Sequence, residues 1–112
     1  MKLEIYRFEM VSGIIGRGML EYMIYLNNVL MGNTSMERLS AGVEDTDKFV
    51  VSMILLNLSN NMDEVITRVI NGNPNCYWPH WNCNCVYSSS SDKVLKELDI
   101  KLKEKAIEGD FK

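Results

Sequence analysis

Apolar residues that recur at helical spacing are the strongest structural signal in this chain. The clearest set follows the i, i+3, i+4, i+7, i+8 pattern of a helix with one buried face: Met62, Val65, Ile66, Val69 and Ile70. Asn61 and Glu64 have the spacing of a capping box, and Gly72 can take the left-handed conformation that stops a helix. The sequence therefore predicts a helix between Asn61 and Gly72.

Two further stretches carry helical spacing. Residues 94–106 place apolar side chains on one face and charged ones on the other, which predicts an amphipathic surface helix. Between Ile14 and Met31, a helical projection gathers Arg17, Glu21 and Asn28 on one narrow polar stripe. This second pattern predicts a helix that is covered on three sides.

Residues 47–59 have almost no polar face, so they fit either a central helix or a buried strand. Their length and the possible caps at 45–47 favour a helix, which would form a helical hairpin with the one that follows. Thr34 and Glu37 predict a short helix that ends at Gly42.

Two regions depart from helical spacing. Residues 3–11 are rich in β-branched and aromatic types and fit an edge strand or the first turns of a helix. Residues 73–91 contain both prolines and all three cysteines, and they predict a long connection. We therefore predict one mainly α domain over residues 1–112: a bundle of four or five helices with a long aromatic and cysteine-bearing loop. The alternative is an α+β fold with an N-terminal strand and a strand at 48–58.

Composition and charge exclude several classes of protein. A hydrophobic fraction of 46% argues against disorder, and a net charge of −3 argues against nucleic acid as a partner. Glu4, Arg7 and Glu9 interrupt any signal peptide, and polar residues interrupt the longest apolar stretch, at 19–31. An odd number of cysteines is typical of a reducing compartment. We expect a cytoplasmic protein that does not bind membranes.

The segment NPNCYWPHWNCNC, at 73–85, holds both tryptophans, the sole histidine and every cysteine. Its aromatic side chains are of the types that dominate protein–protein interfaces. They predict a partner-binding surface made of Tyr77, Trp78, His80, Trp81 and Tyr87. The alternative is that these rings close one end of the core.

The same segment could instead hold zinc. Cys76, His80, Cys83 and Cys85 supply the thiolates and the imidazole of a structural site. Four ligands within ten consecutive residues is not the usual spacing of such sites, so we expect no cofactor and keep zinc as the alternative. A cysteine nucleophile would need His80 as its base, and no orienting third group can be identified. We expect no enzyme.

Residues 11–19 read VSGIIGRGM. This stretch is similar to the signature of KH RNA-binding domains, in which paired isoleucines lead into a Gly-x-x-Gly loop that clamps a nucleic-acid backbone. The resemblance covers this stretch alone, and Met19 stands where the loop would close on glycine. It implies an RNA-binding module with salt-dependent affinity centred on Arg17. The alternative is that Gly13, Gly16 and Gly18 allow a bend or close packing.

These expectations favour a stoichiometric binding protein. A small acidic chain without a catalytic constellation could be an immunity protein, an antitoxin or a phage-encoded viral inhibitor that covers the surface of another protein. A homodimer could form through the aromatic surface or through the apolar face of residues 14–31.

Overall fold

The protein has an α+β fold in a computed structural model that describes residues 1–10, 19–72 and 83–110, with residues 9, 10 and 108–110 placed by their backbone only. The elements of these ranges, in chain order, are β1 (Leu3–Met10), β2 (Met19–Leu26), β3 (Val29–Glu37), α1 (Val43–Asn60), α2 (Met62–Asn71), β4 (Asn84–Ser89) and α3 (Lys93–Asp110). The predicted mainly α bundle of four or five helices is wrong, and the α+β alternative fits.

The four strands form one antiparallel sheet in the order β3-β2-β1-β4. β2 and β3 form a tight hairpin, because Leu26 pairs with Val29 and both residues between them have positive φ angles. Asn27 and Asn28 thus occupy the two left-handed positions of a type I′ turn, which matches the twist of the flanking strands. β4 pairs with the other side of β1.

The helix predicted for 14–31 is wrong, since residues 19–26 and 29–31 lie in strands and residues 11–18 fall outside the described ranges. β2 lacks clear alternation because both of its faces are covered. Tyr22 is fully buried beneath the helices, while Met23 and Tyr25, on the opposite face, are only 7% and 6% exposed. A strand that is buried on both faces reads as a continuous apolar run.

Some of the predictions for the other regions are confirmed, and others are wrong. Residues 3–10 form a strand, β1, as one alternative predicted, but β1 is an inner strand and not an edge strand. The helices predicted at 47–59, at 94–106 and between Asn61 and Gly72 are confirmed as α1, α3 and α2. The strand at 48–58 and the short helix from Thr34 to Gly42 are wrong. The long connection at 73–91 contains β4, whose polar side chains hide its pairing with β1.

The helices pack on one face of the sheet, and the core lies between the two layers. It contains Leu3 and Ile5 of β1, Leu20 and Leu26 of β2, Val50, Ile54 and Leu58 of α1, Val65, Ile66 and Val69 of α2, and Leu95 and Leu98 of α3. α1 buries only one stripe, since Phe49, Met53 and Leu56 remain exposed. None of the helices in the described ranges is both long and apolar enough to cross a lipid bilayer.

The predicted helix ends differ in detail. The Asn61 side chain donates to the carbonyl oxygen of Asn57 at 2.9 Å and makes no capping bond to α2. Gly72 is extended (φ −79°, ψ 161°) instead of left-handed. α1 begins before the expected caps, and Thr46 lies inside it, where its hydroxyl accepts from Leu39 N at 2.9 Å. This bond ties the β3–α1 connection to the first turn of the helix.

Candidate functional site

The predicted partner-binding residues Tyr77, Trp78, His80 and Trp81 lie outside the described residues, as does Cys76. Of the predicted aromatic surface only Tyr87 can be placed, and of the zinc set only Cys83 and Cys85. The binding surface and the zinc site therefore stay predictions. The glycines of the KH-like stretch lie outside the described residues as well.

Tyr87 is a half-buried residue of β4. It pairs with Ile5 of β1 and packs against the core. Its hydroxyl donates to Asp92, just before α3, and burial followed by this hydrogen bond raises the pKa of the phenol. Tyr87 therefore helps to position the start of α3, and only part of its ring is accessible to a partner.

The two described cysteines lie beside Tyr6. Cys83 is half-buried before β4, whereas Cys85 is exposed and stands opposite Tyr6 in the register. The Cys85 thiol lies 3.5 Å from the carbonyl oxygen of Tyr87 and is not in a disulfide. No group of three histidine, cysteine or acidic side chains suited to a metal occurs within the described ranges, but two of the four predicted zinc ligands lie beyond them.

Aromatic side chains pack on the sheet face that points away from the helices. Tyr6 and Tyr25 meet edge to face, with ring centroids 5.9 Å apart. The Tyr6 hydroxyl donates to the Glu4 carboxylate at 2.6 Å. This hydrogen bond, together with burial, raises the pKa of Tyr6. The cluster is a second small packed layer, since Met23 beside it is buried too.

A polar cluster lies under α1 on the opposite face. The Arg7 guanidinium donates to the Asp47 carboxylate, and the Tyr22 hydroxyl donates to the same carboxylate at 2.6 Å. Burial, then the bond to Asp47, raises the pKa of Tyr22, so the phenol stays protonated as a donor. The Arg7 Nε atom is buried and has no hydrogen-bond partner within the described part of the chain. The cluster fixes the start of α1 on the sheet.

A groove of about 480 Å³ lies between β3 and α1. Fifteen described residues line it. Gly32, Thr34 and Met36 contribute from the strand, and Phe49 and Met53, exposed by 47% and 52%, contribute from the helix. Ile54 and Leu58 are lining residues that are themselves buried. The groove thus combines an apolar helix flank with a strand at the edge of the sheet.

The edge of β3 is open over Gly32–Met36 and closed at Met31. No described strand pairs with the side of β3 that faces away from β2. Met31 is a bulge residue, since its neighbours pair with consecutive residues of β2, and Arg68 of α2 donates to its carbonyl oxygen. Residues 32–36 carry no charge and no proline, which are the usual devices that protect an edge strand from pairing.

This arrangement can bind an extended peptide. An open strand edge offers backbone donors and acceptors, and an apolar flank offers contacts for alternate side chains. Sequence reasoning missed the groove because Phe49 and Met53 look like core residues of an all-apolar helix. The uncharged run at 29–36 is the one signal of an unprotected strand. Comparison with known protein families, with curated proteins and with solved structures found no match to this chain.

Proposed function

We propose that the protein is a small inhibitor-type binding protein that takes an extended segment of another protein as an added strand along β3. The observation that carries this proposal is the open edge of residues 32–36 beside the apolar flank of α1. Addition of a strand satisfies the edge backbone, while Phe49 and Met53 bury part of the segment's apolar side chains. A segment that is bound along β3 is not accessible to other molecules, so stoichiometric binding is enough to block it.

The size of the groove favours a segment over a second folded copy. Fifteen described residues line it. One side of a stable interface between folded proteins uses about 20–30 residues. A single strand needs less surface, because main-chain hydrogen bonds supply much of its affinity.

Selection from a library of short random peptides, followed by titration calorimetry of a synthetic binder, tests the proposal. We expect the binder to slow hydrogen exchange at the outward-facing amides of residues 32–36, because new main-chain bonds protect these amides. Replacing alternate peptide amides with N-methyl groups should abolish binding, since it removes donors without changing the side chains.

A matched pair of variants on α1 locates the binding face. Met53→Ser should weaken the peptide by about tenfold, the loss expected for one buried apolar contact. Leu56→Ser is the control: Leu56 is 62% exposed but does not line the groove. Equal effects of the two substitutions, or protection confined to residues outside 32–36, would overturn the proposal.

The same experiments also test two alternatives to this proposal. A dimeric mass in sedimentation, with concentration-dependent protection of β3 in the absence of peptide, would assign the edge to a second copy. Loss of peptide binding in Trp78→Ala or Trp81→Ala, with Met53→Ser unaffected, would move the surface to the aromatic segment.

A further inference from the structure

Arg68 is the only charged residue among the described residues that line the groove. It lies in the last turn of α2, where a cation is favoured by the helix dipole. Its contact with Met31 places the guanidinium at the end of the groove where the open edge of β3 stops. An apolar groove with one cation at one end distinguishes the two ends of an extended peptide.

We infer that the segment bound along β3 ends in the groove, with its C-terminal carboxylate at Arg68. This inference rests on the proposed strand addition and fixes the direction and chemistry of the segment. A strand antiparallel to β3 enters beside Glu37 and reaches Arg68 with its carboxyl end. A parallel strand would bring its N-terminal amine to the same guanidinium, which like charge disfavours.

The closed edge explains why a chain end fits better than an internal acidic residue. Beyond Gly32 the bulge at Met31 shifts the register of β3, and the Arg68 guanidinium donates to the carbonyl oxygen that a continuing strand would use. A segment that continued past this point would lose its pairing. A chain that stops there leaves a carboxylate beside the remaining guanidinium donors.

The test compares one selected peptide in three forms: the free acid, the C-terminal amide and the acid extended by several alanines. The peptide comes from a library displayed with free C-termini. We expect the acid to bind at least about tenfold more tightly than the amide, because a charge-assisted hydrogen bond is lost in the amide. The extended peptide should bind no better than the amide, and the preference should shrink at high salt.

Two arginine variants locate the carboxylate. Arg68→Gln should remove the difference in affinity between the acid and the amide. Arg68→Lys should keep part of the preference for the acid over the amide. This variant controls for a general disturbance of β3. Arg38→Gln is the matched control, because Arg38 is exposed just beyond the other end of β3 and does not line the groove.

The outcomes separate this inference from the proposed function. Equal binding of acid, amide and extended peptide, with protection within residues 32–36, would overturn the C-terminal inference and leave strand addition standing. An acid preference that survives in Arg68→Gln and is lost in Arg38→Gln would also overturn it, by reversing the direction of the strand. Absence of binding by peptides of any form would overturn both the C-terminal inference and the proposed strand addition.

Discussion

The guanidinium of Arg7 on β1 and the carboxylate of Asp47 on α1 form an ion pair between the sheet and the helix layer. Both side chains are largely buried, and the hydroxyl of Tyr22 donates a hydrogen bond to the same carboxylate. Because α1 also forms one wall of the groove, this pair sets the position of Phe49 and Met53 relative to β3. A change at Asp47 should therefore affect both stability and groove geometry.

Asp47→Ala should lower the free energy of unfolding by about 3 kcal/mol, since it leaves the Arg7 charge buried without a partner. Urea denaturation followed by circular dichroism measures the change. The double variant Arg7→Met, Asp47→Leu should recover part of the loss, because an apolar pair needs no compensation. A cost below about 1 kcal/mol for Asp47→Ala would mean that water screens the pair.

Alkaline pH should destabilise the protein partly through Tyr22. Burial and the bond to Asp47 raise the pKa of Tyr22 above its ordinary value of 10.0, so the folded state holds the proton more tightly than the unfolded chain. The stabilisation is complete below about pH 10 and is lost as the pH rises towards the raised pKa.

The slope of unfolding free energy against pH should therefore be shallower in Tyr22→Phe than in the parent protein between about pH 9 and pH 11. Tyr6 and Tyr87 also have raised pKa values and remain in both proteins, so the difference isolates Tyr22. Parallel slopes would contradict the assignment.

Sequence pattern predicts the helices of this fold better than its strands. α2 and α3 each bury one face, so their 3.6-residue period survives in the sequence. The β2 strand is covered on both sides, and its apolar run resembles a helix. β4 is short and polar, so no alternation of apolar and polar residues marks it in the sequence. Its partner β1 lies near the other end of the chain, so no local hairpin pattern marks the pairing. The Asn27–Asn28 pair is the local signal that identifies the hairpin.

The groove depends on tertiary placement, which explains why sequence alone does not reveal it. Phe49 and Val50 are adjacent apolar residues, yet only Val50 is buried in the core. Which side of α1 meets the sheet is decided by long-range contacts such as Arg7 with Asp47. Arg68 likewise becomes part of the groove only when α2 packs against the bulge of β3.

The hairpin turn offers a direct stability test. Asn28 has a φ angle of 65°, a left-handed conformation that is less costly for asparagine than for alanine. Asn28→Ala should lower the free energy of unfolding by about 1 kcal/mol, while Asn28→Gly should be neutral or slightly stabilising. Thermal melts of the two variants provide the comparison. Equal losses would point to a side-chain contact of Asn28 instead of backbone strain.

Gly72 is required by space and not by backbone conformation. An added Cβ there would overlap the Val29 side chain and lie 2.9 Å from the Arg68 carbonyl oxygen. Gly72→Ala should therefore lower the free energy of unfolding by about 1–3 kcal/mol, as overpacking does. Val29→Ala alone should cost about 2 kcal/mol through the cavity it leaves.

The double variant decides whether this contact is the cause. Because the alanine methyl group at 72 partly fills the space that Val29→Ala vacates, the double variant should lose clearly less than the sum of the two single changes. Urea denaturation of all four proteins gives the coupling. Strict additivity would show that Gly72 does not approach Val29, and that the end of α2 and the neighbouring Arg68 are placed differently against β3.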